Sequence, residues 1–411
     1  MMTFIKLGWR NIWRHRRRSL VVISSISIGV FAMMFSAGFM NGMNVQMVEN
    51  TISTSLGHIA VHRRGFQDNM KLEFNFSAGP KMLETIDKTP LVKAWAPRVK
   101  MQAMVRSSES SRGVMIVGID PEREKNISKI YDYTRKEDGS RFISGRNTDE
   151  ILISREMAEK LDLLLGDRLV VMLQDKDNEI IGTGLRVCGL YETPVNSYDR
   201  FVVFVGIEKL QAMNGLGKNI SEISVLLHDK KDVDTVKDAL IAGVNDRSLE
   251  ILSWKDMAPS LVKSIRLFDT MMFIFFAIIF MTVVFSIANT LIMAIMERFH
   301  EIGVMKSIGT RPRRIFFMIL FEAFSLGLIG VVAGIAAGMV LHVVLSYTGI
   351  DLSLYQESMR VWGTGSVIYP VIRFIDIVNA VIIVFFTTFI AALYPAVKAA
   401  RIKPLEALHF I

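Results

Sequence analysis

Four long apolar runs constrain this chain more than any other feature. Residues 19–48 carry no charge, and neither do 270–296 or 377–397; residues 315–345 are interrupted only by Glu322 and His342. A helix needs about 20 apolar residues to cross a bilayer, so each run is long enough to span. A cleaved secretory leader has an apolar core of only about 7–15 residues, which the first run exceeds. Four buried soluble helices of such length are a poor alternative. Hydrophobic residues make up 51% of the 411, against 21% charged. That mixture excludes a disordered chain and fits spans carrying a large aqueous domain. The lone cysteine, Cys188, excludes an internal disulfide or a cysteine-rich zinc site and reads as a buried thiol in a strand.

The basic residues set orientation. Lys6, Arg10, Arg14, Arg16, Arg17 and Arg18 precede the first run. Arg298, Lys306, Arg311, Arg313 and Arg314 separate the second and third, and Lys398, Arg401 and Lys403 follow the fourth. Lys and Arg favour the cytoplasmic side, so both termini and the middle loop are expected inside. The net charge of +8 is then explained by the membrane rather than by nucleic acid. The expected architecture is four transmembrane helices, N-in and C-in, with a large α+β extracytoplasmic domain between the first two. The segments are an amphipathic N-terminal helix over 1–18, spans over 19–44, 266–296, 314–345 and 374–397, and the outer domain over 45–265. A cytoplasmic segment over 297–313, an outer loop over 346–373 and a tail over 398–411 complete the chain.

The N-terminal segment places Phe4, Ile5, Trp9, Ile12 and Trp13 at helical spacing among its basic residues, as a helix on the membrane surface would, or as a simple topology signal. Within the outer domain, residues 98–106, 114–119, 150–153, 167–173, 201–205 and 222–228 read as strands, and 154–165 and 232–244 as helices. No phosphate-binding loop, H-E-x-x-H or G-x-S-x-G motif occurs. His58 and His62 lie four apart without a third ligand nearby, so neither a metal nor covalent chemistry is expected of the chain itself.

Four features remain as candidate sites. Gly327, Gly330, Gly334 and Gly338 occupy the third run, the last three on one stripe, where small residues admit close helix approach. Glu322 in the same run needs a partner, and an arginine near the inner interface is favoured over proton transport. Met33, Met34, Phe35, Phe39, Met40 and Met43 of the first run, with Phe268, Met271, Met272 and Phe275 of the second, could line a greasy, adaptable cavity or simply pack and face lipid. The most informative segment is 297–309. Its Ile302 and Met305 share a helical face with Phe299, flanked by Glu297, Arg298, Glu301 and Lys306, with Gly303 within and Gly309 allowing the chain to turn back. Such an apolar ridge could dock in a groove of a cytoplasmic protein, the alternative being a plain solvated connector.

These motifs resemble the FtsX/MacB-type (type VII) permeases of ABC transporters. Gly8-Trp9-Arg10-Asn11-Ile12-Trp13-Arg14 followed by Ser27-Ile28-Gly29-Val30 is similar to their start. Asn289-Thr290-Leu291 through Glu297-Arg298-x-x-Glu301-Ile302-Gly303 and Gly309, then Glu322 and Gly330, is similar to their central signature. Tyr394-Pro395-Ala396 through Ala400-Arg401 and Pro404-Leu405-Glu406-Ala407-Leu408 is similar to their end, and the stretch from Ile151 to Asp167 resembles their periplasmic core domain. The resemblance implies that 297–309 includes the coupling helix that receives the stroke of a separate cytoplasmic ATPase dimer, which binds the ATP and magnesium. It also implies a second permease, identical or paralogous, and location in the bacterial inner membrane. Met40-Asn41-Gly42 followed by Gly57-His58-Ile59 resembles the lipoprotein-releasing LolC/LolE branch. That branch implies lipoprotein cargo taken from the outer leaflet and a periplasmic carrier to receive it. A MacB-like exporter of periplasmic drugs, peptides or toxins, and an FtsX-like relay to a cell-wall hydrolase, are the competing readings.

Overall fold

A computed structural model of the chain describes residues 16–403 except 178. Of the amphipathic N-terminal segment only 16–18 are described, and of the terminal tail only 398–403. The chain divides into two compact units. Of the described residues, one holds 16–44, 265–351 and 367–403; the other holds 45–264 and 352–366.

The first unit is helical. Among the described residues, four helices are long and apolar enough to cross a membrane: Arg16–Thr51, Pro259–Glu297, Pro312–Thr348 and Phe374–Ala400. The first continues beyond residue 44, and a further turn of π-helix covers Ile52–Leu56. Large apolar side chains such as Phe273, Phe285, Val340 and Phe374 stand exposed on these helices. A soluble protein does not tolerate such a surface, whereas lipid solvates it. The spans bury small and branched residues between them, including Ile26 and Val30 of the first, Ile287 of the second, Ala323 of the third and Ala391 and Ala392 of the fourth.

The glycine stripe explains how closely these helices approach. A Cβ on Gly330 would lie 2.7 Å from Ile26 Cβ, and one on Gly334 2.7 Å from both Ser27 O and Val30 Cβ. One on Gly338 would lie 2.9 Å from Met34 Sδ. These three glycines therefore seat the third span on the first, where Ser27 Oγ also donates to Gly330 O at 3.0 Å. Gly327 faces the fourth span instead, with Thr388 Oγ1 3.0 Å from the place of a Cβ.

The second unit is built on nine strands: β1 (Ile59–Arg63), β2 (Val92–Arg106), β3 (Ser111–Ile119), β4 (Glu150–Ser154), β5 (Arg168–Gln174), β6 (Ile180–Tyr191), β7 (Val202–Gly206), β8 (Glu222–Leu227) and β9 (Leu249–Ser253). Their order is β3-β7-β4-β6-β5-β2-β8-β1-β9, and β2 also pairs with β3. That pairing closes β2, β3, β7, β4, β6 and β5 into a ring, and closure removes sheet edges. The β3–β7 and β4–β6 pairs are parallel, the rest of the ring antiparallel. The first half of β2 leaves the ring and pairs with β8, extending into β1 and β9. Alternation supplies the interior: Leu169, Val171 and Leu173 of β5 are buried while Arg168 and Val170 are exposed. Local chemistry ends the elements. Ser154 Oγ accepts from Met157 N at 3.1 Å, starting the helix Arg155–Leu161 directly after β4, and Asp162 in the left-handed region stops it.

The strand segments read from sequence, with the strand-like 59–61 between His58 and His62 and the stretch around Cys188, fall in β1–β8, whereas β9 was not among them. The helical reading over 154–165 shortens to Arg155–Leu161, because Asp162 turns the chain.

Candidate functional site

The segment joining the second and third spans folds as a short helix, Phe299–Ser307. Its start is a bend at Arg298, whose backbone (φ −106°, ψ 20°) leaves the helical region between Glu297 and Phe299. Its end is Gly309, at φ 91°, a conformation that a side chain resists. Pro312 then opens the third span at a position where its missing N–H is not needed.

The orientation of this helix corrects the sequence reading. Ile302 is 2% exposed and packs with Phe299 and Met305 against Ile295, Ile315, Ile319, Ala396, Ala399 and Ile402. The ridge expected to dock a partner is thus the helix's own anchor to the second, third and fourth spans. Gly303 is buried with it. The solvent face carries His300, Glu301, Val304 and Ile308, with Val304 39% and Ile308 78% exposed. Val304 and Ile308 are four apart and form a second apolar ridge that the sequence reading passed over. Lys306 turns inward as well, its Nζ donating to Ala400 O at 3.0 Å and Ile402 O at 2.5 Å. It thereby satisfies carbonyls at the end of the fourth span.

Glu322 is 4% exposed and finds the expected arginine partner, together with a second one. Arg298 Nη1 donates to its Oε2 at 3.2 Å, and Arg18 Nη2 lies 3.6 Å from its Oε1. Arg18 also donates to Glu297 Oε2 at 3.0 Å, and Arg298 Nε to Glu301 Oε2 at 3.3 Å.

A cavity of about 340 Å³ opens at the other end of the spans. Met40, Met272, Phe273 and Phe276 supply apolar lining; Asn41, Asp269, Arg373 and Asp376 supply a polar margin. Asn41 Nδ2 donates to Asp376 Oδ2 at 2.7 Å, and Arg373 Nη2 to Asp376 Oδ1 at 3.1 Å. Of the ten methionines and phenylalanines proposed from sequence, Met40 and Met272 line this cavity. Met33, Met34, Met43 and Phe268 do not, because they are buried in protein packing. Phe35, Met271 and Phe275 are exposed, and Phe39 stacks on Phe35 with ring centroids 6.4 Å apart. The fourth span, which contributes Arg373, Asp376, Asn379 and Ile383, was missed as a wall.

In the second unit an ionic cluster is buried between β1, β2 and β8. Arg98 grips Glu124 through Nε at 3.1 Å and Nη2 at 2.6 Å, and reaches Glu222 Oε1 at 3.3 Å. Lys100 Nζ donates to Glu222 Oε2 at 2.6 Å, and His62 Nε2 lies 3.4 Å from the same oxygen. Burial pushes Glu222 up, but Lys100 and Arg98 outweigh it and hold the carboxyl below its ordinary value. Burial lowers His62 to about 4 against the opposing pull of Glu222. Arg98 also donates to Ser55 O. His62 is therefore committed to this cluster. His58 instead accepts from Leu227 N at 2.9 Å, and no group of metal-binding residues forms among those described. Cys188 is buried, and burial raises its thiol to about 12.

Residues 352–366, in the stretch between the third and fourth spans, belong to this unit. They carry the short helix Gln356–Val361, whose Arg360 donates to Asp199 Oδ2 at 2.6 Å, Glu192 Oε1 at 3.0 Å and Thr193 O at 3.2 Å. Burial raises the Asp199 carboxyl to about 6, while Thr193 and Arg360 pull it the other way.

Comparison with known proteins accounts for both units. Residues 19–242 match the MacB-like periplasmic core domain, and residues 273–404 match the FtsX-like permease C-terminal domain. The chain belongs to the FtsX/MacB type of ABC transporter permease, a multi-pass membrane protein with a large mixed domain between its first two spans. Among its relatives, the lipoprotein-releasing system transmembrane protein LolC of Xylella fastidiosa is 24% identical over 423 aligned positions, covering 99% of this chain and 98% of that protein. LolC of Neisseria meningitidis serogroup B is 23% identical over 95% of this chain and 94% of its own. YknZ of Bacillus subtilis, an uncharacterized ABC transporter permease, is 23% identical over 99% and 98%. Among solved structures, the periplasmic region of MacB from Actinobacillus actinomycetemcomitans covers 54% of this chain and 97% of its own, at 11% identity and a TM-score of 0.36.

Proposed function

We propose that this chain is one permease of an ATP-driven complex in the bacterial inner membrane that extracts lipoproteins from the outer leaflet and hands them to a periplasmic carrier. Full-length likeness to LolC and LolE proteins, whose names describe lipoprotein release, supports the cargo. The observation that carries the reading on this chain's own residues is the amphipathic cavity. Met40, Met272, Phe273 and Phe276 suit acyl chains, while Asn41, Arg373 and Asp376 beside them suit the polar end of a lipid. Each acyl CH₂ moved into water costs about 0.8 kcal/mol, so acyl chains do not leave the bilayer without an energy source and a sheltered route.

The chain's role is mechanical. A cytoplasmic ATPase dimer binding ATP and magnesium docks on the Val304–Ile308 ridge, and its closure drives the helix Phe299–Ser307, which the buried ridge couples to the spans. Both termini lie in the cytoplasm. A second permease, paralogous or identical, completes the cavity. The carrier meets the outer wall of the strand ring. There, Met104 and Val170 are exposed beside Arg106, Arg168 and Arg186, a surface matching an apolar partner with an acidic margin.

The test is reconstitution of the purified complex with a fluorescent triacylated lipopeptide in nanodiscs of phosphatidylethanolamine and phosphatidylglycerol. ATP-dependent release supports the reading, and Met40→Asp together with Phe276→Asp should reduce it at least tenfold. Retained lipopeptide alongside export of soluble peptides favours the MacB-like alternative. Activation of a bound peptidoglycan hydrolase favours the relay.

A further inference from the structure

Glu322 holds together parts of the chain that the sequence keeps apart. Its Oε2 accepts from Arg298 at 3.2 Å, and its Oε1 faces Arg18 at 3.6 Å. Arg298 occupies the bend where the second span ends and the coupling helix begins. Arg18 belongs to the first turn of the first span and also holds Glu297, the last residue of the second. One carboxylate in the third span, 4% exposed, thus faces the first span on one oxygen and the bend on the other.

Packing alone would need no charge here. Ile295, Ile302, Ile315 and Ile319 already join the second span, the short helix and the third span, and Val22 and Ile26 of the first pack in a cluster with Ala323 and Leu326 of the third. A buried carboxylate shared by two guanidiniums adds direction rather than adhesion, because its hydrogen bonds hold only in a narrow geometry. The bend has non-helical backbone at Arg298, so it is where the coupling helix can tilt against the second span. A tie from that residue to the third span converts tilt into movement of the third and first spans together.

We propose that Glu322 is a positioning residue that latches the Arg298 bend to the first and third spans, so that a push on the coupling helix moves those spans instead of flexing the bend. This rests on the coupling role proposed above. The glycine stripe continues the same path, seating the third span on the first up to Gly338.

The test uses the full complex, reconstituted as above, and reads ATP hydrolysed per triacylated lipopeptide released. Glu322→Gln keeps the shape and loses the charge; it is expected to retain the ATPase, hydrolyse ATP and need at least tenfold more ATP per release. Glu322→Asp keeps the charge one methylene short and is expected to fall between, at about threefold, which decides the matter if Glu322→Gln does not assemble. A wild-type ratio in either assembled variant overturns the proposal. So does a variant that only lowers yield or melting temperature with the ratio unchanged, which would make Glu322 architectural. A wild-type complex that hydrolyses ATP without releasing lipopeptide refutes the cargo reading instead. The latch is then read from nucleotide-dependent labelling of a cysteine at Met40→Cys: a response lost in Glu322→Gln supports it, and a response kept overturns it.

Discussion

The two apolar ridges of the coupling helix make opposite predictions. Ile302 is 2% exposed among six other buried apolar residues. Ile302→Ala removes buried carbons from a packed site and should destabilise the helical unit by about 2–5 kcal/mol. Val304 and Ile308 are 39% and 78% exposed, so replacing them barely changes folding, by about 0.5 kcal/mol or less. On the coupling role proposed above, their value lies in docking. Fully burying a valine or isoleucine side chain contributes about 1.5–3 kcal/mol. Scaled by the surface still available, the pair supplies about 3 kcal/mol, or about 100-fold in affinity. Val304→Asp with Ile308→Asp should therefore weaken ATPase binding about 100-fold while leaving the melting temperature of the permease near wild type. Titration of ATPase onto permease in nanodiscs gives the affinity, and unfolding of the permease alone gives the stability. If Ile302→Ala weakens binding at unchanged stability, or the double variant binds normally, the assignment of the two faces is wrong.

Further outcomes follow from the other contacts. His62 is held neutral by burial at about 4 in the folded chain, against 6.5 for the free side chain, so stability from its neutral form is complete above pH 6.5 and is lost as pH falls toward 4. That shift corresponds to about 3 kcal/mol, and His62→Gln should flatten this part of the pH dependence of melting. Arg360→Gln should leave Asp199 buried with a still higher pKa and lower local stability by about 2 kcal/mol, read as faster proteolysis within 352–366. Gly334→Leu places a side chain against Ser27 O and Val30, and should cost about 1–3 kcal/mol or push the first span away, seen as new thiol labelling at Ile26→Cys, a position fully buried in the wild-type chain.

What was legible in the sequence was what depends on short range or on solvent. Charge-free runs declare spans because the bilayer penalises charge wherever it falls. Gly330, Gly334 and Gly338 declare a contact stripe because their spacing matches the helix period. Glu322 declared a partner for the same reason, although the sequence could not say that two arginines would come. The facing of the coupling helix was not legible. Phe299, Ile302 and Met305 form one apolar ridge and Val304 and Ile308 another, and the choice is made by Ile315, Ile319, Ala396 and Ala399, which only the fold brings near. Likewise Arg98, Glu124 and Glu222 come from three separate segments, and Arg360 meets Asp199 from far along the chain. Each sits in a stretch that also reads as ordinary surface charge. The missed β9 carries Leu249, Ile251 and Ser253 in alternation, too short a pattern to stand out.

The misplaced cavity residues show a subtler point. Methionine and phenylalanine were chosen for adaptability, yet Met34 is spent filling the space above Gly338. The residues that mark the cavity are instead those where polar and apolar groups meet: Asn41 beside Met40, Asp269 near Met272, and Arg373 with Asp376 on a helix otherwise apolar. A charge at the end of a span is tolerated on topology grounds alone, so it gives no signal by itself. It becomes informative only once the first, second and fourth spans are seen to converge on it. That convergence also separates the two sites by chemistry. At the Glu322 end carboxylate and guanidinium are buried against each other and leave little surface for a ligand. At the Asp376 end the pair stands at the margin of open space lined by apolar side chains. The first arrangement suits transmission of force, and the second suits an amphipathic molecule, which is the division of labour that the proposed function requires.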